Sequence, residues 1–334
     1  MEQWIERLLT ESVRRESMEH FELDQREPEK LGDFENYIYQ VYRKGTPCIL
    51  RITHSSHRTK EEIEAELEWV NFLCSAGIPA ASALASARHR RVEEVKADGS
   101  SFFISLFEKA PGSPVKITDK SFDQELFFSW GKTVGKMHNV TKGFQPTRGR
   151  RKRWDEDDLL DFPLYLDSIE DSQVIEKGEK LKKRIQSLQE SKERFGLIHS
   201  DLHHGNFFMD NGRVNVFDFD DSCYFYYVSD IAIPLYYAVW ARGFQGSSSS
   251  FAEEFLTFFM KGYIEENELS KEILELIPLF LRFRDHTLYA VLHKKWGSRS
   301  LNESQQSLLA QIRERLLAEQ PIVDVSYEKI WRKI

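Results

Sequence analysis

Apolar residues recur at two different periods along this chain, and the change between them divides it. Trp4, Ile5, Leu8 and Leu9 fall at helical spacing and predict an amphipathic helix over residues 1–22. The period then shortens: residues 34–42 and 48–53 read as two strands joined by a turn at Lys44-Gly45. On the second strand Cys48, Leu50 and Ile52 share one face, while Ile49, Arg51 and Thr53 share the other. A helix is predicted over 60–76, closed by Gly77 and Pro79. Residues 88–96 and 102–107 suit a hairpin around Asp98-Gly99.

Past Ala110-Pro111-Gly112 helical spacing takes over. Phe127, Trp130, Val134 and Met137 mark one apolar stripe, and several long helices are expected beyond residue 229, with 246–250 as a loop between two of them. One strand pair interrupts this region, 207–209 and 214–217, around the turn signal Asp210-Asn211-Gly212. The expected fold class is therefore α+β: a small antiparallel-sheet lobe over 1–109 and a larger, mainly helical lobe over 110–334, joined at about 108–112.

Composition narrows the function classes. At 41% hydrophobic and 30% charged, the chain has the apolar surface of an ordinary globular protein, and 334 residues are enough for two lobes. Cys48, Cys74 and Cys223 lie far apart in no metal-ligand spacing, so neither a disulfide framework nor a zinc site follows, and a reducing, cytoplasmic compartment is expected. The first residues are charged rather than signal-like, and the longest apolar stretch, 231–241, is too short to span a membrane. A net charge of −8 argues against nucleic acid as a partner; it tolerates a cationic or zwitterionic small molecule without establishing one.

The residues that carry chemistry cluster between 198 and 220. The 207–217 hairpin sets Asn206 at the start of one strand and Asp218 at the end of its partner, where an amide oxygen and a carboxylate converge on one cation. Oxygen ligands of this kind suit Mg²⁺, which takes further oxygens from substrate phosphates. Asp201, five residues before Asn206, is placed to accept a proton from an attacking hydroxyl. Asp220 reads equally as a metal or substrate contact and as a solvated acid after a strand. His199 is expected to be a packed, hydrogen-bonded residue holding the loop; with His203 and His204 it makes no zinc site, because thiolates are missing and carboxylates dominate.

The segment HSDLHHGNFF…VFDFDDS resembles the aminoglycoside phosphotransferase and choline kinase group of small-molecule kinases, which share the protein-kinase fold. The resemblance extends over most of the chain and implies a two-lobed, protein-kinase-like enzyme that transfers the γ-phosphoryl of Mg-ATP to a hydroxyl of an amino alcohol, amino-acid-like or aminoglycoside-like acceptor. By position it implies Asp201 as catalytic base, Asn206 and Asp218 as Mg²⁺ ligands, and Asp230 as the structural carboxylate bracing the catalytic loop. It also implies a hinge contact to adenine from the Glu108 carbonyl and the Ala110 N–H, and a phosphate-covering turn from Gly32 to Asn36.

Phosphoryl transfer also needs a cation on the nucleotide. Arg51 is the candidate, and its partner is Glu66, the one acid inside the arc of Ile63, Leu67, Val70, Leu73 and Cys74; Glu62, Glu64 and Glu68 fall outside it. The pair resembles the Lys–Glu pair of kinases, with Arg in place of Lys. Arg148 to Trp154 is basic and Asp155 to Asp158 acidic: by itself a solvated, charge-alternating loop, but by the resemblance a region that often edges the acceptor cleft; Arg282, Arg284 and Asp285 on a late helix are further candidates to face it. The dozen or so residues from Asp218 to Asp230, with no A-P-E segment, leave little room for a peptide-docking loop. The remaining alternative is a non-catalytic, kinase-like structural or binding protein of the spore-coat type, favoured by Arg51 and the sparse glycine turn and opposed by the Asp201, Asn206 and Asp218 trio.

Overall fold

The structure, a computed structural model, describes residues 3–243, 248–297 and 301–334. The chain packs as two compact units: Met1–Ser113 with Gly143–Arg151 and Asn215–Asp220, and Pro114–Lys142 with Lys152–Val214 and Asp221–Ile334.

The first unit is built on an antiparallel sheet. Its strands run in the order Glu29–Gly32, Tyr37–Arg43, Thr46–His54, Ser100–Glu108 and Ala83–Leu84, with Glu93–Ala97 also paired to Ser100–Glu108. The turn at Lys44 and Gly45 has positive φ at both residues, the geometry that matches strand twist, and both N–H groups donate to the Asp24 carboxylate at 2.8 and 2.9 Å. Cys48, Leu50 and Ile52 face a core completed by Phe102, Ile104, Leu106 and by Ile5, Leu9, Val13 and Phe21. Arg51 and Thr53, on the opposite face, are also buried.

The Lys60–Ser75 helix starts from a capping box: Thr59 Oγ1 accepts from the Glu62 N–H at 3.2 Å, and the Glu62 carboxylate accepts from the Thr59 N–H at 2.8 Å. Glu62, expected outside the apolar arc, is buried because that reciprocal bond draws it in. The segment at 215–220 joins this unit through a parallel bridge between Ala80 and Val216.

Several expectations need correction. The N-terminal helix is two, Gln3–Leu8 and Glu11–Glu19, because Thr10 turns its hydroxyl back onto the Val13 N–H and caps a new start. Residues 29–32 form an unexpected edge strand, and the strand expected over 34–42 begins at Tyr37. The 88–96 strand begins only at Glu93, since His89 holds a positive φ incompatible with a strand.

The second unit is mainly helical. Its principal helices are Gln124–Thr141, Ser172–Gln186, Ser229–Arg242, Ser248–Ile264, Lys271–Trp296 and Glu303–Ala318. Phe127, Trp130, Val134 and Met137 are all buried on the first of these. Of the 246–250 stretch, Gly246 and Ser247 lie outside the described residues, and Ser248 to Ser250 open a helix rather than a loop. A two-stranded antiparallel ribbon, Phe195–Ile198 with Cys223–Tyr226, was not anticipated; it leads directly into residue 199. The Phe207–Asp210 and Arg213–Val216 strands are neighbours in a second small sheet, joined through Asn211 and Gly212, both at positive φ. Among the described residues no helix is long and apolar enough to cross a membrane.

Candidate active site

In the second unit, the ribbon strand ending at Ile198 delivers His199, Ser200 and Asp201 into a loop fixed from behind. Asp230, fully buried at the start of the Ser229–Arg242 helix, accepts from the backbone N–H groups of His199 and Ser200, both at 2.8 Å. Its Oδ2 also lies 3.3 Å from His138 Nε2, whose Nδ1 meets the Tyr263 hydroxyl at 3.0 Å. His138 further stacks on Tyr227 at 4.4 Å between ring centroids. His199 is buried, with Nδ1 accepting from the Asp201 N–H at 3.4 Å. His199 and Asp230 thus sit together beneath the loop. His138 escaped sequence reasoning: it sits one position after Met137 of the apolar stripe, and only a buried acid more than 90 residues on explains it.

Among the described residues, the Asp201 carboxylate is met by three side chains of this unit. Oδ1 accepts from Arg284 at 2.7 Å, and Oδ2 accepts from Asn206 Nδ2 at 3.2 Å and lies 3.4 Å from His203 Nε2. Burial alone would raise its pKa, but the His203 hydrogen bond and the Arg284 charge outweigh it, and the group is held below the ordinary carboxylate value. Asn206 Nδ2 also donates to the Asp201 carbonyl at 2.9 Å. With its nitrogen spent on Asp201, the amide has its oxygen left to serve as a ligand atom. Of the three late-helix candidates, only Arg284 meets Asp201. Arg282 pairs with Glu319 at 2.9 Å, and Asp285 is buried against Tyr236 and a two-pronged Arg315.

In the first unit Arg51 and Glu66 form a bidentate pair at 2.8 and 2.7 Å, both side chains buried. The Arg51 guanidinium lies over the Phe107 ring at 5.0 Å. Burial works against its charge, but Glu66 and Asp220 more than offset that and push its pKa up. Asp220 is a hub rather than a solvated acid. Its carboxylate accepts from Asn36 Nδ2 at 3.1 Å and from Arg58 Nε at 3.4 Å, meets His57 Nε2 at 2.8 Å, and lies 3.9 Å from Arg51. Its carbonyl accepts from Arg58 and Arg151. Burial raises and these cations, Arg58 foremost, lower its pKa; the result is well below the usual range.

His57 and Arg58 were missed by sequence reasoning, since no spacing links them to residue 220, and Arg151, read only as part of the basic 148–154 stretch, is buried against the Glu62 and Asp220 carbonyls. The Asn36 amide is committed at both ends, its Oδ1 accepting from Thr53 Oγ1 at 2.6 Å. Gly32 ends the edge strand, with open space where a Cβ would lie. Glu108 accepts from Ser82 Oγ at 2.7 Å and Ala110 is buried. Asp218 holds a φ of 63°, in the left-handed region that Asp tolerates better than most residues, and the next residue, Phe219, packs edge-on against Trp69 at 5.4 Å.

The chain matches the family described as "Phosphotransferase enzyme family" over residues 29–265. It is 36% identical over 304 residues to amicoumacin kinase of Bacillus subtilis (strain 168), covering 90% of each chain. A solved structure of amicoumacin kinase hAmiN in complex with AMP-PNP, Ca²⁺ and Ami superposes with a TM-score of 0.94 at 32% identity, covering 99% of this chain and 100% of that one. A microcompartment-associated aminopropanol kinase shares the fold, with a TM-score of 0.73 at 19% identity over 93% of this chain and 99% of the other. The chain belongs to the phosphotransferase enzyme family: it has the α+β, protein-kinase-like fold and is a small-molecule kinase that uses ATP and a divalent metal ion.

Proposed function

We propose that this kinase phosphorylates a hydroxyl of amicoumacin or of a closely similar amine-bearing, hydroxylated small molecule, with Asp201 as the catalytic base. The observation that carries the chemical part is the Asp201 carboxylate, held ionised and oriented by Asn206, His203 and Arg284 on a loop braced by Asp230. An ionised carboxylate so placed orients the acceptor hydroxyl and takes its proton as the oxygen attacks phosphorus. The acceptor class is supported by the 36% identity to an amicoumacin kinase over nine-tenths of both chains.

Asn206 and Asp218 are the proposed oxygen ligands of Mg²⁺; an amide oxygen and a carboxylate are the donor set that ion prefers. When bound, the ion neutralises phosphate charge. Arg51, aligned by Glu66, is the proposed cation toward the nucleotide, while Glu108 and Ala110 offer main-chain groups to the adenine and Gly32 the turn over the phosphates. With its amide committed to Thr53 and Asp220, Asn36 contributes by fixing that turn. Asp220 is assigned as the anion that ties Asn36, His57, Arg58 and Arg51 together rather than as a metal ligand. A site of action in the cytoplasm fits three free cysteines and ATP as donor. The net charge of −8 fits a small-molecule partner rather than a nucleic acid.

ADP release should be measured with amicoumacin, 1-amino-2-propanol, spectinomycin, choline and neutral sugars. Amicoumacin is expected to give a kcat/KM at least tenfold above every other acceptor. A preference for choline or a neutral sugar would overturn the acceptor assignment.

A further inference from the structure

We propose that Arg284 is an acceptor-specificity residue, selecting small molecules that carry a carbonyl oxygen within one or two carbons of the hydroxyl to be phosphorylated. The inference rests on Asp201 being the base that receives that hydroxyl, and it concerns only residues of the second unit.

One terminal nitrogen of Arg284 does two jobs: it donates to Asp201 Oδ1 at 2.7 Å and to the Tyr237 hydroxyl at 2.5 Å. The guanidinium also lies over the Tyr237 ring at 5.1 Å, and Tyr237 packs against His203 at 4.8 Å and Trp240 at 5.7 Å. One donor of the fork is not spent: Nε is buried with no hydrogen-bond partner among the described residues, while the charges of Asp201 and Asp221 both act on the guanidinium.

A buried guanidinium N–H without an acceptor is costly, and a structure that keeps one has the donor to offer a ligand. Arg282, two residues earlier on the same helix, also keeps a buried Nε without a hydrogen-bond partner among the described residues, but its terminal nitrogen pairs with Glu319, whereas that of Arg284 pairs with Asp201. The distance sets the chemistry. Arg284 touches one oxygen of the carboxylate that receives the reacting hydroxyl, so an acceptor group that satisfies the fork lies within a few ångströms of that hydroxyl. A carbonyl oxygen on the adjacent or next carbon meets this requirement; a bare ammonium there is repelled. Hydroxy amides and hydroxy carboxylates fit, and simple amino alcohols do not. A site built to hydrogen-bond one group rejects the analogue lacking it much more strongly than an apolar pocket rejects a missing methylene.

The test compares serinamide and 3-hydroxypropanamide with ethanolamine and 1-amino-2-propanol by ADP release. The wild-type enzyme is expected to favour the amides by about 10–100-fold in kcat/KM, the range of one charge-assisted hydrogen bond. Arg284→Met should erase most of that preference, chiefly through the acceptor KM, with the KM for ATP within twofold of wild type. Arg284→Lys should recover part of it, and Tyr237→Phe, which keeps the guanidinium but frees its anchor, should lose a smaller share; these two decide the matter if Arg284→Met fails to fold. Equal kcat/KM for the two classes, a preference that survives in Arg284→Met, or no ADP release with either class would overturn the proposal. Asp201→Asn separates it from the reading beneath: wild-type turnover there removes the base, whereas lost turnover without any carbonyl preference in the parent enzyme removes only the role of Arg284.

Discussion

Ser200 holds a φ of 67° one residue before Asp201, a left-handed state that costs a non-glycine residue about 1–2 kcal/mol. The two backbone bonds to Asp230 offset that cost and set the direction in which Asp201 leaves the loop. Asp230→Ala strands two N–H groups, so a loss of at least about 2 kcal/mol in urea denaturation is expected, with kcat falling more than ATP affinity. An unchanged kcat would show that the loop holds itself. Glu66→Ala leaves the buried Arg51 charge uncompensated, and about 3–5 kcal/mol of stability should go with it. The double variant Arg51→Met, Glu66→Met should regain most of that stability but not the KM for ATP. Asp220 supplies a pH signature. Its folded pKa is depressed, so its stabilisation is complete above the unfolded value of about 3.9 and is lost as pH falls from there toward the folded one. The stability gap between wild type and Asp220→Asn should therefore hold steady from pH 7 to about pH 5 and close below about pH 4.

The helices Gln124–Thr141 and Ser248–Ile264 approach so closely that their backbones touch. A Cβ at Gly131 would lie 1.8 Å from the Phe259 carbonyl oxygen, and one at Gly262 would lie 1.9 Å from that of Phe128. Gly131→Ala gains helix propensity yet must push two main chains apart, so thermal melting should show a net loss of about 1–3 kcal/mol or more. The stripe of Phe127, Trp130, Val134 and Met137 was legible because period alone reveals it. The need for glycine at 131 was not, because it depends on a helix more than a hundred residues later. The same limit explains the other misses. Four-residue strands such as Phe195–Ile198 are too short to show a period, and the break at Thr10 is invisible to a pattern that stays amphipathic on both sides. The hairpin turns at Lys44-Gly45, Asp98-Gly99 and Asn211-Gly212 were legible because each needs positive φ, which Gly, Asn and Asp supply at low cost; at the first of them only Gly45 gives that signal, and Lys44 carries the strain.

At the scale of the whole molecule, chemistry lying close together in the chain was readable and chemistry assembled from afar was not. Asp201 and Asn206 announce themselves by a five-residue spacing beside a turn, and Glu66 by being an acid in an apolar arc. Arg284 was readable only as a late-helix candidate for the acceptor cleft; that it meets Asp201, 83 residues earlier, and that positions 51, 58 and 151 gather on Asp220, carry no local signal. A kinase must also respond to its nucleotide. Mg-ATP at about a hundred times its Kd should stabilise the protein by roughly 2.7 kcal/mol, raising Tm by roughly 4 °C, and no shift at millimolar nucleotide would favour a non-catalytic scaffold instead. The most direct measurement is single-turnover phosphoryl transfer to amicoumacin by wild type and Asp201→Asn, with ATP affinity followed in parallel. The account predicts a rate about 10²–10⁴-fold lower in the variant with ATP binding nearly intact; transfer at the wild-type rate would contradict it.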